Sequence, residues 1–219
     1  MTREVTGFLY PFLDAAVVEN PEVLLTDLAR SARAKWDDSI YLAANSVSAN
    51  ATALADAVEM FAQARQVLVA GNGGSACDAE RMARLWRGIA TPGDDGGCRV
   101  RSLVSDPATL TALANDLGVD QIFARQVVAY GRPGDVLVVL STSGNSSNLL
   151  AACDTAIRLG LRTVGIAGYS GGAMADHAGV ECCLRVESDS VHRIQEAQAA
   201  LVDTLVAAVM ARRVRVDSR

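Results

Sequence analysis

Gly134-Asp-Val-Leu-Val-Val-Leu-Ser-Thr-Ser-Gly-Asn-Ser-Ser-Asn148 holds a strand and the opening of a helix in one stretch. Val136 to Leu140 is short, β-branched and apolar, bounded by Gly134 and by hydroxyl residues, which is the pattern of a buried strand. Leu149-Leu150-Ala151-Ala152-Cys153, with Ile157 and Leu159 beyond, has the spacing of an amphipathic helix. Between the two stand Ser141, Thr142, Ser143, Gly144, Asn145 and Ser146. The hydroxyls therefore fall where a strand ends and a helix begins. Unpaired N–H groups and the positive end of the helix dipole point into such a turn. Four hydroxyls in six residues exceed what one helix cap uses. They read as an anion site, most naturally one for a phosphate.

The chain has 219 residues, half of them hydrophobic, enough for one domain with a large core plus an extension. Charged residues make up 21 % and the formal net charge is −5, so no basic surplus marks a nucleic-acid binder. Arg212, Arg213, Arg215 and Arg219 read as a solvated basic tail. There is no run of about 18 apolar residues to span a membrane, and the N-terminus lacks the apolar core of a signal peptide. The five cysteines, Cys77, Cys98, Cys153, Cys182 and Cys183, lack metal-site spacing. Reduced thiols in a cytoplasmic protein are the expectation.

Thr6 to Asn20 is an apolar arm around Pro11, suited to packing on its own domain or on a neighbouring subunit. Pro21 opens a helix to about Ala44, with Val23, Leu24, Leu28, Ala32 and Trp36 on its apolar side. A second helix spans Ser48 to Gln63. Gln66 to Ala70 is the first strand, Gly71-Asn-Gly-Gly-Ser75 a turn that lets a ligand approach the backbone, and Ala76 to Arg87 a helix. This glycine turn lacks both the full dinucleotide fingerprint and the Gly-Lys-Ser/Thr ending of a nucleotide loop. Thr91 to Gly97 is a polar loop. A strand over Arg99 to Leu103 follows, then helices over Pro107–Ala114 and Val119–Tyr130. Beyond the central stretch come a strand at Arg162–Ala167, a short helix at Gly172–His177, a strand at Val180–Val186 and a long helix at Ser190–Arg213. Strands alternating with helices imply a parallel sheet covered on both faces, with ligands at the C-terminal ends of the strands.

Gly71-Asn-Gly-Gly-Ser75, Ala114-Asn-Asp116, Gly134-Asp-Val with Ser141-Thr-Ser-Gly-Asn-Ser146, and Arg193-Ile-Gln-Glu196 occur in an order and spacing that resembles a sugar isomerase (SIS) domain of the phosphoheptose isomerase type. The resemblance covers about residues 45 to 212. It implies an α/β, three-layer SIS fold: a parallel five-stranded sheet flanked by helices, with an N-terminal helical extension. The layout it implies is an oligomerisation arm and helix over 1–44, the SIS domain over 45–213 and a basic tail over 214–219. It implies a sugar phosphate as ligand, with a heptose phosphate among the candidates, and a homotetramer with shared sites. Asn72, Gly73, Gly74 and Ser75 would line the sugar phosphate. Asn115 and Asp116 would hold sugar hydroxyls, Ser141, Thr142, Ser143 and Ser146 the phosphate, and Gln195 the reacting end.

The departures from the family are specific. Its zinc ligands, a His and a Glu one turn apart and then a Gln and a His, fall here on Arg81, Leu85, Gln195 and Asp203. Zinc needs imidazole, thiolate or carboxylate donors; Arg81 is a fixed cation and Leu85 has no donor. No metal cofactor is therefore expected. Leu85 also cannot move the proton that aldose–ketose isomerisation requires. Glu80, Asp78, Glu196 and Asp203 are the nearby carboxylates that could substitute, and His192 precedes the Arg-Ile-Gln-Glu motif. An Arg81–Asp203 salt bridge in place of the metal is expected. Three functions follow: a phosphosugar-binding protein without the zinc-dependent chemistry, a phosphosugar isomerase using rearranged residues, or a tetrameric assembly protein that binds a protein partner. Membrane association and direct nucleic-acid binding are not expected.

Overall fold

The computed structural model describes residues 21–89 and 99–217. The arm at Thr6–Asn20, the loop at Thr91–Gly97, Cys98 and the last two residues lie outside these. The chain divides into two compact units, one ending at Leu42 and one beginning at Ala43. Helix α1 (Pro21–Ala49) supplies, as far as Leu42, the described part of the first unit, and its last turns belong to the second. Its Leu25, Trp36, Ile40 and Tyr41 are exposed, so Trp36 does not serve the inner stripe expected of it.

The second unit runs α2 (Ala51–Gln63), β1 (Gln66–Gly71), α3 (Gly74–Ile89), β2 (Arg99–Ser102), α4 (Pro107–Leu117), a 3-10 turn (Val119–Gln121) and α5 (Ile122–Tyr130). It continues through β3 (Val136–Ser141), α6 (Ser147–Arg158), β4 (Arg162–Gly168), α7 (Gly172–Ala175), β5 (Cys182–Val186) and α8 (Val191–Asp217). Several boundaries differ from expectation for local reasons. The break before α2 falls at Asn50, whose side-chain amide donates to Ser46 O and Arg185 O at 2.7 Å each and accepts from Arg185 N at 2.8 Å. That clamp ties the helix junction to β5. The single helix expected over Val119–Tyr130 is split, because Gly118 at φ 87° ends α4 and a 3-10 turn follows. Helix α8 runs on to Asp217, and Arg212 is not a solvated tail residue but an ion-pair partner of Glu59 on α2.

All five strands are parallel, in the order β2-β1-β3-β4-β5. Val67 to Ala70 and Val136 to Leu140 are wholly buried, as expected of strands covered on both faces. Strand alternation divides them. Leu68, Ala70, Leu137 and Val139 join Phe123 and Val127 of α5 and Leu149 and Ala152 of α6 in one core layer. Val67, Val69, Val136 and Val138 face the layer of α2, α3 and α8. There Phe61 and Trp86 meet with ring centroids 6.0 Å apart. Each such large side chain, once buried, contributes about 1.5–3 kcal/mol before entropy is counted. Val191–Arg212 of α8 is long and apolar enough to cross a membrane by length and composition alone, with mean hydropathy 1.3. Its Ile194, Ala197, Leu201, Leu205 and Val209 are instead fully buried in this second layer. Cys182 and Cys183 face opposite layers as expected, and Cys182 Sγ donates to Ala53 O at 3.0 Å.

The strand order positions the site. From β1 the chain crosses outward to β2, whereas β3 lies on the other flank of β1. The loops leaving β1 and β3 therefore diverge at the C-terminal edge and open a crevice there.

Candidate functional site

The crevice is walled by Gly71–Ser75 after β1 and by Ser141–Ser146 after β3. In the second loop Ser141 Oγ lies 3.4 Å from Ser143 Oγ and 3.2 Å from Ser146 Oγ. Gly144 N donates to Ser141 Oγ at 3.1 Å, and Asn145 N donates to Ser143 Oγ at 3.2 Å. Gly144 is required by the turn: its φ is 67°, and a Cβ there would sit 1.9 Å from Gly171 O. Ser146 is the N-cap of α6, yet its side chain makes no capping hydrogen bond. Its hydroxyl thus remains with the other two around one point, in front of a helix N-terminus. Such a cluster of donors suits a bound phosphate.

The first loop comes close through two clamps. Asn72 and Asn148 exchange side-chain hydrogen bonds, 2.9 Å one way and 3.0 Å the other, so the glycine loop is tied to the first turn of α6. From behind, the buried Gln198 of α8 donates to Ser141 O at 3.3 Å and Ile166 O at 3.2 Å, holding the ends of β3 and β4. The resulting cavity has a volume of about 300 Å³. Its lining includes Asn72, Gly73, Gly74 and Ser75, with Ser141, Thr142, Ser143, Ser146 and Gln195. Nine of the eleven expected substrate-binding residues are thus brought together. The other two, Asn115 and Asp116, are not: exposed on the last turn of α4, they bond to each other at 2.8 Å and border neither this cavity nor the one beside it.

At the far end, Gln195 accepts from Ser75 Oγ at 3.4 Å and donates a short hydrogen bond from Nε2 to Asp78 Oδ2. Burial of Asp78 raises its pKa to about 6, against the lowering effects of Gln195 and of Arg81. Arg81 grips Asp203 through two hydrogen bonds, Nε to Oδ1 at 2.8 Å and Nη2 to Oδ2 at 2.5 Å. The expected bridge forms within one chain and is about 44 % exposed. Of the other acid–base candidates, Glu196 pairs with Arg193 at 3.2 Å, His192 is exposed, and Glu80 lines the neighbouring cavity.

These groups do not fit a zinc ion. A dication there would meet the Arg81 guanidinium, Leu85 offers no donor, and the Gln195 amide is engaged by Asp78 and Ser75. Among the described residues no three His, Cys, Asp or Glu side chains gather as a metal site.

The SIS-domain model matches residues 27–168 of the chain. The phosphoheptose isomerase of Rhodospirillum rubrum is 43 % identical over 142 residues, 62 % of this chain and 71 % of the relative. The chain belongs to the phosphoheptose isomerase family of SIS-domain proteins. The Thiobacillus denitrificans member is 40 % identical over 153 residues, covering 69 % of this chain and 77 % of its own length. Among solved structures, the Neisseria gonorrhoeae phosphoheptose isomerase matches with a TM-score of 0.76 at 30 % identity, over 84 % of this chain and 99 % of that one. The Francisella tularensis enzyme matches with a TM-score of 0.74 at the same identity. The three-layer SIS fold expected from the sequence is therefore the observed one, and the protein is a phosphosugar-binding SIS domain that resembles phosphoheptose isomerase.

Sequence reasoning missed Asn148 and Gln198. Asn148 carried a signal, an amide in the first turn of the helix that follows the hydroxyl loop. Gln198 carried another, a lone polar residue amid the apolar stripe Ile194, Ala197, Leu201 and Leu205.

Proposed function

We propose that this SIS domain holds a sugar phosphate, a heptose phosphate being the first to try, with its phosphate in the turn of Ser141, Thr142, Ser143 and Ser146. Asn72, Gly73, Gly74, Ser75 and Gln195 border the same cavity. The protein acts as a sensor, regulator or partner and not through zinc-dependent isomerisation. One observation carries this reading: three hydroxyls of the phosphate turn converge in front of a helix N-terminus, while two of the family's zinc positions, Arg81 and Asp203, are bound to each other. The layout proposed with it is an oligomerisation segment over 1–44, the SIS domain over 45–213 and a short tail. The chain forms a cytoplasmic homotetramer, and the exposed apolar residues of α1 support an assembly role for that helix.

A second reading, an isomerase with rearranged residues, draws support from Asp78. This carboxyl is buried at the edge of the crevice, with a pKa raised to about 6, a suitable range for a group that gives and takes protons near neutral pH. An aldose–ketose assay on sedoheptulose 7-phosphate, with and without added zinc, separates the two: the first reading expects no turnover in either case. For binding, Ser141→Ala with Ser143→Ala removes two hydrogen bonds to a charged group. At about 1.5–3 kcal/mol each, affinity should fall about a hundredfold or more in calorimetry. Unchanged affinity would place the phosphate elsewhere.

A further inference from the structure

A second cavity, about 480 Å³, opens on the other side of the glycine loop and shares Asn72 and Gly73 with the phosphate cavity. Its polar side is α3, which contributes Glu80 and Arg84; its apolar wall includes Val104, Leu110 and Phe123. The volume is in the range of small-ligand sites. Both charges are unspent. Oε1 of Glu80 is shut off from solvent without a hydrogen-bond partner, and Arg84 has no ion pair or hydrogen bond among the described residues. A carboxylate oxygen without a donor is costly to keep, so Glu80 gains by turning toward any donor that a ligand brings.

The path from the phosphate turn toward Gln195 is confined by comparison. Gln195 there is tied to Ser75 and Asp78, and the smaller cavity offers about 300 Å³. We infer that the polyol chain of the bound sugar phosphate crosses over Gly73 into the α3–α5 cavity, where Glu80 accepts from a hydroxyl and Arg84 donates to another. Gly73 suits the crossing: its φ is 54°, and open space lies where a side chain would stand. The C–H face of the sugar meets Leu110 and Phe123. Specificity for the sugar thus resides in Glu80 and Arg84, and the phosphate turn supplies the anchor. This assignment rests on the phosphosugar reading above.

The test is calorimetry of the full chain with inorganic phosphate and with sedoheptulose 7-phosphate, on the wild type and on Glu80→Gln, Arg84→Ala and the cavity-filling Leu110→Trp. Each variant should weaken sugar phosphate binding about tenfold, which is 1.4 kcal/mol, and leave inorganic phosphate within twofold. Sugar phosphate affinity unchanged in all three variants overturns the assignment. So does an equal loss for both probes, which would mean damage to the phosphate turn. A wild type that binds phosphate but gains nothing from the sugar also overturns it and leaves the anion site standing. A wild type that binds neither probe overturns the phosphosugar reading itself.

Discussion

Replacing Asp78 with Asn should stabilise the protein in a pH-dependent way. Asp78 is 7 % exposed, and its pKa rises from 3.8 to about 6 because burial disfavours its charge. Between those values the folded state holds a proton that the unfolded state has released. Stability therefore falls as pH rises through this window and is level above it. At about 1.36 kcal/mol per pH unit, the loss is at most about 3 kcal/mol. Asn cannot ionise, and its side-chain oxygen can still accept from Gln195. Asp78→Asn should thus match the wild type near pH 4 and exceed it by up to about 3 kcal/mol at pH 7. In a chain of this length that is a Tm rise of up to about 6–12 °C. The assay is thermal and denaturant unfolding of both proteins in half-unit steps from pH 4 to 7.5. Exposed carboxylates such as Glu59 and Asp106, whose pKa values are lowered, slope the other way but contribute equally to both proteins and cancel in the difference. A difference that stays constant with pH, or that favours the wild type at pH 7, refutes the reasoning.

The Arg81–Asp203 pair is exposed, so a double-mutant cycle through Arg81→Ala and Asp203→Ala should return a coupling of about 0–1 kcal/mol; a value of several kcal/mol would contradict the exposure. Metal analysis of protein purified without chelators should find no stoichiometric zinc in the wild type. Arg81→His, Leu85→Glu and Asp203→His together, with Gln195 kept, should acquire a zinc ion; a wild type already loaded with zinc would defeat the donor argument. Light scattering should report a tetramer at micromolar concentration, and a monomer would remove the assembly role given to α1.

What could be read in advance depended on whether one short stretch carried the cause. Val136–Leu140 is a strand because five consecutive apolar residues can be satisfied only between two layers, and that necessity is visible locally. The hydroxyl turn is visible for the same reason. The Arg81–Asp203 pair spans 122 positions, yet it was foreseeable because the family resemblance sets both residues around one point. Arg212 with Glu59 had no such guide, and a charge run at a chain end looks the same whether solvated or paired. Asn115 and Asp116 are the converse case. The motif promised ligand contact, but in this chain they are exposed and bonded to each other at 2.8 Å. The second cavity was invisible too, since Glu80, Leu110 and Phe123 converge only once β2, α4 and α5 are folded against α3.

The proposed reading, with binding kept and zinc chemistry lost, is physically consistent because the two tasks would use different parts of the fold. The turn proposed for the phosphate has its hydroxyls fixed by backbone geometry at the junction of β3 and α6, with Gly144 and Gln198 holding it. The zinc positions implied by the family resemblance fall on α3 and α8. Substitutions on those helices leave the turn untouched, provided that the helices stay joined. Arg81 and Asp203 meet that condition with a planar fork and a carboxylate, and Gln195 with Asp78 adds a second tie between the same two helices. Arg81 with Asp203 and Gln195 with Asp78 thus hold α3 to α8 beside the crevice, so its shape does not depend on an ion between the two helices.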